Sequence, residues 1–145
     1  MYLATVLDDQ LGDNSRQRES LIEIINGGRI TPYFQPLVDL HLAEVFGYEL
    51  LSRAPEPFTK PTELFAAAER FGLLWDLERA CRLAALERIA QLPEPYKSKR
   101  FFLNVSPHVF SDSRFRGSFT IAKLQQAATT LSWCWTAWST TTGWP

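Results

Sequence analysis

Val45-Phe46-Gly47-Tyr48-Glu49-Leu50-Leu51-Ser52-Arg53 is an apolar run that carries one carboxylate and one guanidinium four residues apart. If it is a strand, its period of two puts Val45, Gly47, Glu49, Leu51 and Arg53 on one face and Phe46, Tyr48, Leu50 and Ser52 on the other. Both charges then point the same way. Two readings follow. One is a solvated ion pair on a half-exposed sheet, which stabilises by only about 0–1 kcal/mol; the other is part of a site. Phe46, Tyr48 and Leu50 need cover, and a strand apolar on one side and mixed on the other suits a barrel. The inward residues near the C-terminal ends of barrel strands line the active site.

Working outward towards the N-terminus, residues 30–40 are rich in β-branched and aromatic residues. Alternation predicts Tyr33, Gln35 and Leu37 on one face and Phe34 and Val38 on the other. Pro32 and Pro36 remove two ladder donors, so this strand should be irregular or at an edge. The short link His41-Leu42-Ala43-Glu44 predicts an antiparallel, hairpin-like pair with the opening stretch. Before it, Leu21, Ile24 and Ile25 mark one side of a short helix stopped at Gly27-Gly28, with Asn14 or Ser15 as its cap. Residues 1–20, with Gly12-Asp13-Asn14 in a row, read as a loose leader or linker.

Towards the C-terminus, a proline-rich loop over residues 54–61 is followed by Thr62 as an N-cap, a helix over 63–70 ending at Gly72, and a longer helix over about 75–92. Glu78 and Arg82 read as an i, i+4 surface pair. Pro93 and Pro95 end that helix, and Lys97-Ser98-Lys99-Arg100 reads as a solvated basic turn. Phe101-Phe102-Leu103-Asn104-Val105-Ser106 then predicts a buried strand. Asn is disfavoured in strands and a buried amide must find partners, so Asn104 either bonds a neighbouring backbone group or is placed for a ligand.

The 145 residues suffice for one domain with a sizeable core, and 46% hydrophobic with 21% charged residues is ordinary for a soluble globular chain. A net charge of −1 with scattered Lys and Arg gives no nucleic-acid footprint. Cys81 and Cys134 match no metal or redox spacing, and His41 and His108 stand apart from any second ligand, as surface or loop residues. No signal peptide and no run of 18 apolar residues is present. A cytoplasmic chain without a membrane span is expected.

Four motifs now stand in order: Tyr33-Phe34-Gln35-Pro36-Leu37-Val38-Asp39-Leu40, Gly47-Tyr48-Glu49-Leu50-Leu51-Ser52-Arg53, Ala67-Ala68-Glu69-Arg70-Phe71-Gly72-Leu73 and Leu103-Asn104-Val105-Ser106. Over residues 21–126 the chain resembles the N-terminal half of an EAL domain, the bacterial cyclic di-GMP phosphodiesterase family. The name-giving triplet reads Glu49-Leu50-Leu51 here, with Leu in place of Ala. The resemblance implies an α/β fold: a partial TIM-type (β/α) barrel with an antiparallel first strand, truncated after about the third strand. It implies Glu49 and Asn104 as ligands of Mg²⁺ or Mn²⁺, Arg53 on a phosphate of cyclic di-GMP and Gln35 at the same substrate. Hard cations take such oxygen ligands, and a two-metal site activates water and stabilises charge on phosphate.

The family's chemistry also uses a later Glu, a pair of adjacent Asp residues, a Lys near the attacking water and further Glu and Gln residues. None of these is found, and after Lys123 the chain holds no Asp, Glu, Lys or Arg. Residues 127–145, with four of the five Trp, read as foreign to the family: a Trp-rich interaction segment, or out-of-frame translation past Gln126. No catalytic residue is therefore assigned. The expected function is an EAL-type phosphodiesterase domain inactive as this chain. The alternative is a non-catalytic dinucleotide-binding or protein-interaction remnant. A partial barrel leaves a strand edge open, so self-association through that edge is expected.

Overall fold

Glu44–Arg53 is strand β2 of a four-stranded sheet in the computed structural model, which describes residues 2–117 and 131–134. The other strands are β1 (Thr31–Asp39), β3 (Arg100–Asn104) and β4 (Leu131–Cys134), and they lie in the order β1-β2-β3-β4. The chain divides into two compact units, one of Met1–Thr31 with Ser52–Ala84 and one of Pro32–Leu51 with Ala85–Pro145.

In the first unit, helix α1 spans Tyr2–Asn26. It begins far upstream of the expected cap at Asn14 or Ser15, and Gly12-Asp13-Asn14 lie inside it rather than in a loose leader. One interior Gly costs a helix only about 1 kcal/mol, and Gln17 Nε2 donates to Asp13 Oδ2 at 2.8 Å, one turn apart. The expected stop holds. Gly28 takes φ +60°, and Arg29 N donates back to Ile24 O at 3.0 Å.

Helix α2 runs Pro61–Arg70. Its N-cap is Lys60 and not Thr62, because Pro61 fits the first helical position, where its missing N–H has no partner to lose. Leu64, Ala67 and Ala68, spaced i, i+3, i+4, enter a core with Leu21, Ile24, Ile30, Phe58 and Leu77. Each large apolar side chain buried there contributes about 1.5–3 kcal/mol. Gly72 closes α2 at φ +67°, and α3 (Leu74–Ala90) follows after one more residue.

The second unit holds most of the sheet. β1 and β2 are neighbours linked only by residues 40–43, too short for a parallel crossover, so they run antiparallel as expected. Asp39 Oδ1 fixes the turn by accepting from the backbone N–H of His41 and Leu42, at 2.9 and 3.1 Å. β2 pairs parallel with β3, Glu49 opposite Phe102 and Leu50 opposite Leu103. Between them α4 (Glu94–Lys97) makes one turn.

Leu50, Phe101 and Leu103 pack with Ala85, Leu86 and Ile89 from the C-terminal part of α3. Phe34 and Tyr48 join this core through edge-to-face and offset contacts with Phe101, with centroids 6.1 and 6.2 Å away. The alternation expected along β1 breaks at its second proline. Gln35 and Pro36 are exposed in succession, Leu37 is half-buried and Val38 faces solvent. Leu37 and Val38 thus exchange the roles that strict alternation gave them, the irregularity that Pro in a strand produces.

After β3 come α5 (Pro107–Ser111), capped by Ser106 Oγ, which accepts from Val109 N at 3.3 Å, and α6 (Ser113–Gly117). The sheet then extends beyond the third strand, at which the sequence reading ended it. β4 pairs parallel with β3, from Phe101 opposite Leu131 to Asn104 opposite Cys134. Four residues of the stretch read as foreign thus continue the sheet, because the outer edge of β3 offers a row of N–H and C=O groups to any extended segment. The rest of that stretch, residues 127–130 and 135–145, lies outside the described residues.

Candidate functional site

Since Tyr48 and Leu50 of β2 and Phe101 and Leu103 of β3 face the core of the second unit, the residues between them, Glu49, Phe102 and Asn104, project from the opposite face of the sheet. Glu49 and Asn104 are both half-buried there. Asn104 Nδ2 donates to Glu49 Oε1 at 2.7 Å, the short length of a hydrogen bond to a carboxylate. The amide that is out of place in a strand by propensity thus meets the carboxylate side chain of the neighbouring strand. Two sequence-predicted residues 55 positions apart are brought together by the parallel register.

Gln35 lies on β1 and is exposed. Its neighbour Phe34 packs on the core-facing rings of Tyr48 and Phe101, so Gln35 shares the sheet face of Glu49 and Asn104. Arg53, at the end of β2, belongs to the first unit. It is half-buried, and its Nη1 donates to Ser52 O at 3.0 Å.

A carboxylate and an amide this close present the hard oxygen atoms that Mg²⁺ or Mn²⁺ takes. Among the described residues no group of three or more His, Cys, Asp or Glu could hold a metal ion. The pair fits an ion of the Mg²⁺ type, which is commonly held by one or two carboxylates and keeps several waters or phosphate oxygens in its shell. It does not amount to an all-protein cage.

The first unit carries a polar pair that the sequence reading placed on the surface. Glu78 and Arg82 are buried, at 4% and 3% exposure. Arg82 Nη1 donates to Glu78 Oε2 at 3.3 Å, and its guanidinium lies 5.4 Å from the Trp75 ring centroid. The i, i+4 spacing is the same whether a helix face meets water or protein, so burial is not legible from it. Burial lowers the Arg82 pKa, and Glu78 opposes that shift. Beside them, burial pushes the Cys81 thiol up to about 11, although the Ser52 hydroxyl acts in the opposite direction. Cys81 is half-buried, and a thiol with a raised pKa is a poor nucleophile. His41 and His108 are exposed, as expected.

A further feature of the site escaped the sequence reading. On the Glu49 face, Gly47 stands opposite Arg100, with the Phe102 ring close above it. The available signal was a Gly inside an otherwise bulky strand, which marks a close approach of another group.

The family model described as EAL domain matches residues 16–132. The chain is 31% identical to protein y4lL of Sinorhizobium fredii over 116 residues, 74% of this chain and 13% of that protein. It is 28% identical to the probable cyclic di-GMP phosphodiesterase PdeG of Escherichia coli over 131 residues, 81% of this chain and 25% of that protein. Among solved structures, the Xanthomonas citri FimX EAL domain in complex with c-diGMP superposes with a TM-score of 0.67 at 18% identity. That match covers 81% of this chain and 46% of that one. The chain therefore spans a quarter or less of these two curated relatives and under half of this solved domain. Its α/β architecture is the fold of that neighbour. Among the described residues no helix is long and apolar enough to cross a membrane.

Proposed function

The chain belongs to the EAL domain family, and from that premise we propose that Glu49 and Asn104 are the metal-holding pair of a cyclic di-GMP site, with Gln35 and Arg53 as contacts to the dinucleotide. The observation that carries the reading is the 2.7 Å contact of Asn104 Nδ2 with Glu49 Oε1 across β2 and β3. A hydrogen bond that fixes a metal ligand's orientation is a recurrent feature of such sites. Bound Mg²⁺ or Mn²⁺ would supply Lewis acidity towards a phosphate oxygen and an acidified water.

The chain's own residues would orient the substrate. The Arg53 guanidinium offers parallel N–H donors to a phosphate, and the Gln35 amide both donates and accepts on the exposed side of β1. Hydrolysis of the phosphodiester to the linear dinucleotide asks for further carboxylates and a proton-accepting group. These 145 residues hold no Asp, Glu, Lys or Arg after Lys123, so the proposed activity of this chain is metal-dependent dinucleotide binding without turnover. A non-catalytic role in cyclic di-GMP signalling, in the cytoplasm and without nucleic acid, follows from the same reading.

The four strands are proposed as consecutive strands of a TIM-type barrel whose first strand is antiparallel. The β1 and β4 edges are then the places where self-association would occur. Tyr33, Val38, Leu40 and Leu42, exposed on and beside β1, favour such contact. Sedimentation across a concentration series should show mass rising with concentration, and a monomer throughout would count against it.

The deciding experiment is calorimetry of the purified chain with Mn²⁺ and then cyclic di-GMP, beside an assay for the linear product. Mn²⁺ binding lost in Glu49→Ala, dinucleotide binding that depends on Mn²⁺, and no product are expected. Mn²⁺ binding that survives Glu49→Ala would overturn the ligand assignment, and product formed by the unaltered chain but not by Glu49→Ala would make this chain an enzyme.

A further inference from the structure

The pair Glu49–Asn104 is held together only while β2 and β3 keep their spacing and register, and one residue on the same sheet face controls that spacing. A Cβ on Gly47 would lie 2.7 Å from the Arg100 carbonyl oxygen and 2.9 Å from Phe102 Cε2. The first is a backbone atom, so only a movement of β2 away from β3 relieves the contact. The second belongs to the ring of Phe102, the register partner of Glu49, and that ring is also stacked on Phe46 with centroids 6.1 Å apart. The bare backbone at 47 therefore leaves the space that the Phe102 ring fills on the Glu49 face of the sheet.

We propose that Gly47 and Phe102 are positioning residues for the Glu49–Asn104 pair: the missing side chain sets the approach of β2 to β3, and the ring seated over it holds Glu49 towards Asn104. This rests on the reading of that pair as the metal-holding group. A side chain at 47 would displace the strands by several tenths of an ångström, comparable with the roughly 0.5 Å within which a binding constellation must be held. Neither residue supplies an oxygen or nitrogen atom to the ion, so each acts through Glu49.

The test uses the full chain and two readouts. The first is the ¹H–¹⁵N signal of the Asn104 side-chain amide, with Glu49→Ala giving the position of an amide that has lost this carboxylate. The second is the Mn²⁺ affinity, followed by the paramagnetic resonance of the free ion. In Gly47→Ala the amide signal is expected to move to the Glu49→Ala position, and the affinity to fall by about 10–100-fold, the usual cost of disturbing a ligand's support. Phe102→Leu, which adds no backbone collision, should shift both in the same direction by less.

If Gly47→Ala does not fold, Phe102→Leu decides the matter. A folded variant of either kind with the unaltered amide signal and affinity overturns the proposal. Failure of the unaltered chain to bind Mn²⁺ would defeat the metal reading alone, because the amide signal still reports whether Gly47 and Phe102 hold Glu49 against Asn104.

Discussion

Glu78 in the first unit meets Arg82 at 3.3 Å and Glu49 in the second meets Asn104 at 2.7 Å, but by different means. Glu78 meets Arg82 within a single helix, where i, i+4 spacing alone makes them neighbours. Glu49 meets Asn104 across two strands, and only the parallel register makes them neighbours. The first pair is buried on all sides, while the second is half open to solvent. A pair made by local geometry and then buried serves the core; a pair made by the tertiary structure and left accessible is available to a ligand.

The largest effect expected from this contrast is in the first unit. Glu78→Ala removes a carboxylate from the buried Arg82 charge and should destabilise the chain by about 3–5 kcal/mol, read from urea unfolding midpoints. A cost below about 1 kcal/mol would show that water reaches the pair and would erase the contrast.

Next in size is an alkaline effect at Cys81. The folded thiol has its pKa raised from 9.0 to about 11, so between these values the folded state binds more protons than the unfolded one. Stability therefore falls as pH rises from about 9 towards 11, by up to roughly 2–3 kcal/mol. The loss should be absent in Cys81→Ala, measured as the pH dependence of the unfolding midpoint. A slope identical in that variant would assign the effect to another group.

In the second unit, Ile89→Val trims a fully buried side chain and should cost about 0.5–1.5 kcal/mol. Thermal unfolding checks this. The smallest stability change is expected at the site itself: Glu49→Gln retains the shape and an oxygen for Asn104 and should shift stability by less than about 1 kcal/mol, while abolishing Mn²⁺ binding. Large destabilisation by Glu49→Gln would move Glu49 into the same class as Glu78.

The two residues that meet across β2 and β3 were both singled out from the sequence. Asn104 is out of place in a strand by propensity and Glu49 is a charge in an apolar run, and the resemblance to the EAL family then singled out both. Gln35 was marked by resemblance alone. Its exposure follows the alternation that holds from Pro32 to Gln35, and the parity breaks only after it, at Pro36. Glu78–Arg82 shows the opposite case, a spacing read correctly and a burial read wrongly, because helical spacing is blind to what the face packs against. The start of α1 was missed for a related reason. Gly12-Asp13-Asn14 are poor helix formers one by one, yet propensity is a weak term that a longer helix overrides.

The order of the first three strands and of helices α1 to α3, the hairpin link, the glycine stops at Gly28 and Gly72 and the polar residues of the candidate site follow from the sequence itself, because each depends on residue type at short range. Three features belong to the tertiary structure alone. The burial of Glu78 and Arg82 depends on the residues packed around α3, and the 2.7 Å contact of Asn104 with Glu49 depends on register. The addition of Leu131–Cys134 to the edge of β3 depends on which backbone groups were left open. Each joins residues far apart in the chain, where local spacing carries no information and only packing and strand pairing decide.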